Sequence, residues 1–171
     1  MTRRPILFGA LVSVALAVGA LAPTPAVAEP INPLTASVDK AVAHPGDTVE
    51  VTVRFTNHDP WDVVFSYMSI IPTAPTAAGD VQYAFSSCAG QLSWCSIWAP
   101  DGHGVSVHHD VTIPPGGTRE VRFSYQVAAG SPCGAGRTLA FYFYSYRETT
   151  NNATAGIIYD PQPTTQIACA A

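Results

Sequence analysis

Two segments of the chain alternate between apolar and polar residues. From Thr48 to Asn57 every second residue is Val or Phe, and from Thr118 to Val127 the apolar positions are Val, Phe and Tyr with the same spacing. A period of two places the apolar side chains on one side of an extended chain, so each segment predicts a β-strand with one buried face. Each strand follows a turn signal of proline and glycine, Pro45 to Asp47 and Pro114 to Gly117.

Six further segments predict strands, and no segment shows sustained helical periodicity. One-faced sheets must bury their apolar sides against each other, so seven to eight short strands predict an all-β fold, a two-sheet antiparallel sandwich. The stretch 72–103 is expected to be an irregular insertion that Trp94 and Trp98 attach to the sandwich. The six segments are Leu34 to Val42, Trp61 to Ile71, Val81 to Ser86, Gly104 to Ile113, Thr138 to Arg147 and Ala155 to Tyr159.

The amino terminus has the layout of a secretory signal peptide. Arg3 and Arg4 precede an apolar run from Ile6 to Ala22, and a short Ala-Val-Ala sequence follows. This order predicts cleavage of residues 1–28 and export of residues 29–171 as a single domain without a stable membrane anchor. Both general secretion and twin-arginine export fit the paired arginines. We expect a secreted or extracellular protein, either free or associated with the cell wall.

The charge of the exported part argues against several partners. Loss of Arg3 and Arg4 with the signal peptide changes the formal net charge from −4 to −6. A negative surface repels the phosphate groups of nucleic acids and of acidic lipids. Nucleic acid is therefore not an expected partner.

All four cysteines follow the predicted signal peptide. In an oxidising compartment an even number of cysteines predicts disulfides, and zinc is the weaker interpretation because the sequence has no Cys-x-x-Cys pair. We expect Cys88 and Cys95 to form a local bridge. An antiparallel hairpin that turns at the centre of the polar stretch 148–154 places Cys133 opposite Cys169, which predicts the second bridge. The sequence predicts no cofactor.

The same hairpin register defines a row of tyrosines. Tyr142, Tyr144 and Tyr146 lie on the side opposite to Phe141 and Phe143. Three tyrosines at this spacing form a platform about 13 Å long. Such a platform can stack a sugar chain or anchor a protein partner. Alternatively, the irregular insertion folds over the tyrosines and makes them a second small core.

A cluster of histidines raises the question of metal binding. His103, His108, His109 and Asp110 are close in sequence, and imidazole and carboxylate groups are ligands of zinc or copper. On a strand, however, His108 and His109 point to opposite faces, so solvent-facing polar residues are the simpler interpretation. The sequence has no nucleophile elbow and no His-Glu-x-x-His motif, and it predicts no catalytic residue. A secreted enzyme or metal-handling protein that uses His103 to Asp110 is the alternative.

Several motifs are similar to those of a known group. Val38 to Lys40, Pro45 to Val53, Asn57 and Ile113 to Thr118 resemble the strands and turns of immunoglobulin-like domains of bacterial surface proteins, most closely the group catalogued as domain of unknown function eleven. The resemblance covers about Leu34 to Val127. It implies an immunoglobulin-like β-sandwich and an exterior location, and it transfers no catalytic or binding residue.

These observations together predict a non-catalytic protein. We expect an exported binding or structural module of the bacterial cell envelope or medium. Its partner is an unknown envelope component, either a protein or a polysaccharide. Domains of the resembled group often stand in tandem, whereas this chain has a single one, which argues against a role as a mere spacer.

Overall fold

The computed structural model describes residues 33–73, 76, 80–98, 100–151, 153–159 and 163–170, and of 153–159 only the backbone. The predicted signal peptide lies outside the described residues. The described residues form eleven strands. The strands are β1 (Leu34–Val38), β2 (Val42–Ala43), β3 (Thr48–Thr56), β4 (Val63–Pro72), β5 (Tyr83–Gly90), β6 (Trp94–Ile97), β7 (Val105–His109), β8 (Thr118–Val127), β9 (Thr138–Thr149), β10 (Ala153–Tyr159) and β11 (Thr164–Ile167).

The strands form two sheets, which confirms the predicted immunoglobulin-like β-sandwich. One sheet has four strands in the order β1-β3-β8-β5. The other has seven, in the order β2-β11-β9-β4-β7-β6, and β10 pairs with the same edge of β9 as β11. The strand count exceeds the predicted seven to eight for two reasons. The first predicted strand is divided into β1 and β2, and the short β6 and β11 are additional.

The first predicted strand crosses from one sheet to the other. β1 pairs antiparallel with β3 in the four-stranded sheet, whereas β2 pairs parallel with β11 in the seven-stranded sheet. Between them, the carbonyl of Lys40 accepts a hydrogen bond from Thr165 Oγ1 at 3.0 Å, and Thr165 Oγ1 accepts one from the Tyr125 hydroxyl at 2.8 Å. This buried chain of hydrogen bonds connects the two sheets and satisfies the tyrosine hydroxyl.

Aromatic side chains fill the space between the sheets. Tyr83, Phe85, Tyr125 and Phe141 are at most 6% exposed, and their ring centroids lie 5.3–6.1 Å apart. Most of these pairs meet edge to face, which is a favourable geometry for aromatic rings. The valines of β3 and β8 complete the core, as their alternation predicts.

The observed register of the hairpin agrees with the predicted register only in the middle of the paired strands. Tyr144 pairs with Ile158, as expected, but Thr165 pairs with Leu139, which is two residues away from the predicted register. Cys133 and Cys169 still form the predicted bridge, with a Cα–Cα distance of 5.0 Å. Both cysteines lie outside the paired strands, so the loops around them absorb the shift.

The stretch 72–103 is more regular than the sequence predicts. β5 forms an edge of the four-stranded sheet, and β6 forms an edge of the seven-stranded sheet. Cys88 on β5 is bonded to Cys95 on β6, and both cysteines pack against the core. The expected local bridge therefore joins the two sheets along one side of the sandwich.

Candidate functional site

The tyrosine row lies on the outer side of the seven-stranded sheet. On β9, Phe141 and Phe143 are 2% exposed and enter the core, while Tyr142, Tyr144 and Tyr146 are half-buried on the opposite side. The alternation of β9 thus separates phenylalanine from tyrosine. The described residues of 72–103 make no ring contact or hydrogen bond with these tyrosines.

Neighbouring strands extend this row into a surface. In the register of β4 with β9, Tyr67 is opposite Tyr146. The twist of the sheet brings Tyr67 against Tyr144, with centroids 6.1 Å apart, and Phe65 against Tyr146, at 6.4 Å. Phe65 also contacts His108 on β7, at 5.6 Å.

The surface reaches the edge strand β6. Trp94 lies opposite His108 in the register and stacks on it, with centroids 5.0 Å apart and an interplanar angle of 21°. The tryptophan ring remains 43% exposed. We call the outward side of β9, β4, β7 and β6, together with the adjoining Trp98, the aromatic face. Its rings are those of Phe65, Tyr67, Trp94, Trp98, His108, Tyr142, Tyr144 and Tyr146.

A buried serine holds two of these rings in place. Ser106 on β7 is 2% exposed, and its Oγ lies 2.8 Å from the Tyr67 hydroxyl and accepts a hydrogen bond from Trp98 Nε1 at 2.8 Å. Trp98 packs directly over the α-carbon of Gly104, where any added Cβ would overlap the indole ring. Glycine is required at this position because of that close approach.

The charges around the aromatic face are acidic. The Tyr146 hydroxyl donates a hydrogen bond to Glu148 at 2.9 Å, which raises the pKa of Tyr146. His108 Nδ1 lies 3.0 Å from a carboxylate oxygen of Asp110. None of the described outward residues of β9, β4, β7 and β6 is Lys or Arg.

The outer side of the four-stranded sheet has a different chemistry. Arg54 and Glu120 form an exposed ion pair at 2.9 Å, and Thr52 is opposite Arg122 in the same register. Mixed charges of this kind are typical of a solvated protein surface. The two outer surfaces of the sandwich are therefore unlike each other.

The histidines of the segment from His103 to Asp110 lie in three different surroundings. His103 stacks on Tyr83 with centroids 5.0 Å apart, His108 is on the aromatic face, and His109 is buried on the inner side. Across the described ranges, no three His, Cys, Asp or Glu side chains are close enough to hold a metal ion. Neighbouring residues on a strand point to opposite sides, which separates His108 from His109.

His109 lies beside other buried polar groups. It is opposite Ser66 in the register of β4 with β7, and within the described part of the chain neither His109 Nε2 nor Ser66 Oγ has a hydrogen-bond partner. Burial, and then the charge of Arg119, lowers the pKa of His109 to about 4. Both side chains are at most 2% exposed, so this serine is not accessible to a substrate.

Sequence reasoning identified the tyrosines of β9 but not the rest of the aromatic face. Phe65 and Tyr67 have the two-residue spacing that places them on one side of β4, and Trp94 and Trp98 have a spacing of four. The tryptophans were expected only to attach an irregular insertion to the sandwich. Each pair was visible in the sequence, but only the strand order brings the pairs together.

The described part of the chain contains no helix that is long and apolar enough to cross a membrane.

Comparisons with known proteins identify the fold. No family model and no curated protein match the sequence. The structure is similar to the sixth cohesin of scaffoldin B from Acetivibrio cellulolyticus, with a TM-score of 0.51 and 8% identity over 80% of this chain and 99% of the cohesin chain. A cohesin module of a family 33 glycoside hydrolase from Clostridium perfringens gives a TM-score of 0.54 and 6% identity over 80% of this chain and 96% of the module.

A pilin is also similar. The major pilin subunit of Bacillus cereus gives a TM-score of 0.56 and 7% identity, and the match covers 78% of this chain and 40% of the pilin chain. At these identities the similarities show a shared β-sandwich fold. Membership of the group named domain of unknown function eleven stays a prediction.

Proposed function

We propose that this protein is an exported, non-catalytic binding module of the bacterial cell envelope or medium, and that it binds its partner through the aromatic face. The contrast between the two outer surfaces of the sandwich is the main support. One surface carries mixed charges, whereas the other carries half-exposed rings beside two carboxylates. Aromatic residues such as Tyr and Trp are enriched in binding surfaces because they combine large apolar area with a polar group.

Two further observations support export and binding. The signal-like amino terminus and the two disulfides suit an oxidising compartment outside the cytoplasm. The cohesin of Acetivibrio cellulolyticus was solved in complex with a dockerin, so a sandwich of this fold serves there as a binding module. No arrangement of the described side chains favours the enzyme or metal-handling alternative.

The double variant Tyr142→Ser and Tyr144→Ser tests the proposal. We expect it to lose binding to envelope material from the producing cell while its free energy of unfolding falls by no more than about 2 kcal/mol, because both side chains are only half-buried. The matched control is Arg122→Ser with Gln126→Ser, two exposed positions on the other sheet. Binding should be measured by cosedimentation and stability by thermal unfolding.

Two results would contradict the proposal. A loss of several kcal/mol would mean that the tyrosines are part of a core, as expected for the deletion of buried aromatic rings. Unchanged binding in the double variant would remove the tyrosines from the site.

A further inference from the structure

We infer that the ligand of the aromatic face is an uncharged polysaccharide chain, an inference that rests on the proposed function. The size of the aromatic face limits the kind of partner it can bind. From Tyr142 to Tyr146 the face extends about 13 Å along the strands, and the four strands β9, β4, β7 and β6 span about 14 Å across. This tyrosine-centred patch has a flat area of roughly 200 Å², which is a small part of the about 800 Å² of accessible surface that each partner of a stable protein complex buries. A narrow chain fits this area better than a globular partner.

The charge around the aromatic face also limits the ligand. The described outward side chains of these four strands offer no Lys or Arg, while Glu148 and Asp110 place carboxylates beside the rings. A polymer with phosphate or carboxylate groups would meet only repulsion there. An anionic ligand therefore does not suit this surface, and because Glu148 and Asp110 already pair with Tyr146 and His108, they do not require a cationic one.

The rings of the aromatic face have a chemistry that suits sugars. A sugar ring has an apolar side of C–H groups and an edge of hydroxyls, so it can pack on an aromatic ring and form hydrogen bonds at the same time. Among the described residues, the hydroxyls of Tyr142 and Tyr144 have no hydrogen-bond partner. They lie on the same strand as the half-buried ring of Tyr146, so rings and free hydroxyls occur side by side.

The rings are also fixed before a ligand arrives. Ser106 holds Tyr67 and Trp98 by two hydrogen bonds of 2.8 Å, and His108 stacks on Trp94. Side chains that are already ordered lose less conformational entropy on binding. This organisation favours binding even by a small contact area.

Affinity electrophoresis of the mature, disulfide-intact protein tests the inference. The gels contain one of several uncharged polysaccharides (a glucan, a mannan, a xylan and an arabinan) or an anionic one (alginate or pectate). We expect at least one uncharged polysaccharide to retard the protein, and neither anionic one to do so. Trp94→Ala and Tyr144→Ser should each weaken the retardation roughly tenfold or more, as expected when a tryptophan or tyrosine that contacts the ligand is truncated. The control is Trp61→Ala, an exposed tryptophan outside the aromatic face.

A milder variant guards against loss of folding. Tyr144→Phe removes only a hydroxyl and leaves the ring contact with Tyr67 in place. We expect it to bind about threefold to tenfold more weakly, which corresponds to one lost hydrogen bond. Unchanged affinity of this variant would contradict the role of the hydroxyl in the inference.

The outcomes separate the ligand from the function. Retardation by the anionic polysaccharides, or retardation that survives Trp94→Ala, would overturn the inference. If no uncharged polysaccharide retards the protein but envelope binding persists and disappears after protease treatment of the envelopes, the partner is a protein. In that case the inference fails and the proposed function stands. Absence of binding to both envelopes and polysaccharides would overturn both.

Discussion

His109 is a buried, neutral histidine whose Nε2 has no hydrogen-bond partner among the residues that the structure describes. Its pKa is about 4 in the folded protein and about 6.5 for an ordinary histidine. Between these values the unfolded chain binds a proton that the folded chain does not, so stability falls as the pH falls from 6.5 to 4. Repulsion by Arg119 and His108 also lowers the pKa of His109, whereas the charge of Asp110 raises it. Burial is the largest cause of the shift.

Replacement of His109 should therefore reduce the loss of stability in acid. We expect the free energy of unfolding of the natural protein to fall by about 2 to 3 kcal/mol more than that of His109→Leu between pH 6.5 and pH 4. Urea unfolding at both pH values measures the difference. His58→Gln, a substitution of an exposed histidine, is the control and should behave like the natural protein. Equal losses in His109→Leu and the natural protein would contradict the prediction.

Gly104 offers a second test at a single residue. An added methyl group would overlap the indole of Trp98, so Gly104→Ala should displace the ring and break its hydrogen bond to Ser106. We expect a loss of about 1 to 3 kcal/mol and a shift of tryptophan emission to longer wavelength. Gly130→Ala is the control because nothing lies within 4 Å of the added atom. The prediction is wrong if both variants unfold at the same temperature with the same emission.

Among the elements, strands with strict alternation were predicted best. β8 has the predicted bounds, Thr118–Val127, and β3 ends one residue before the predicted end at Asn57. β6 was missed because its four residues are too few to establish a period, and the apolar Trp94 at an outward position breaks the alternation. Register was predicted correctly only where pairing is continuous. A bulge between Thr154 and Ile157 and the shift between β10 and β11 depend on local backbone geometry that alternation does not encode.

The two disulfides should differ in their effect on stability. The bridge between Cys133 and Cys169 closes a loop with a sequence separation of 36, and that between Cys88 and Cys95 one of 7. Loop-closure entropy predicts a loss of about 4 kcal/mol when the first pair is changed to serine and about 2.5 kcal/mol for the second. Denaturant unfolding of both double variants measures the two losses. If the variant without the short bridge lost more stability, the connection between β5 and β6 would contribute more to the free energy of unfolding than loop closure does.

For the whole molecule, the sandwich was predictable and the aromatic face was only partly so. Alternation within β9 is local, so the outward position of Tyr144 followed from the sequence. The contacts of Tyr67 with Tyr144 and of Trp94 with His108 depend on the strand order β9-β4-β7-β6. That order joins segments far apart along the chain, and periodicity in one sequence carries no information about it. Composition did indicate aromatic residues, but not that they share one surface.

The long disulfide also determines how the protein responds to mechanical tension. When the chain is stretched between residues 33 and 170, force passes directly from Cys133 to Cys169, and the backbone between them carries none. That protected segment contains β9 and its tyrosines. In single-molecule stretching, reduction of the bridge should lengthen the fully extended chain by about 120 Å. Equal lengths for the oxidised and reduced protein would contradict this. With the bridge intact, β9 stays unstretched, but tension pulls out β4, β6 and β7, which carry the other rings of the aromatic face, so a bound ligand should be released under load.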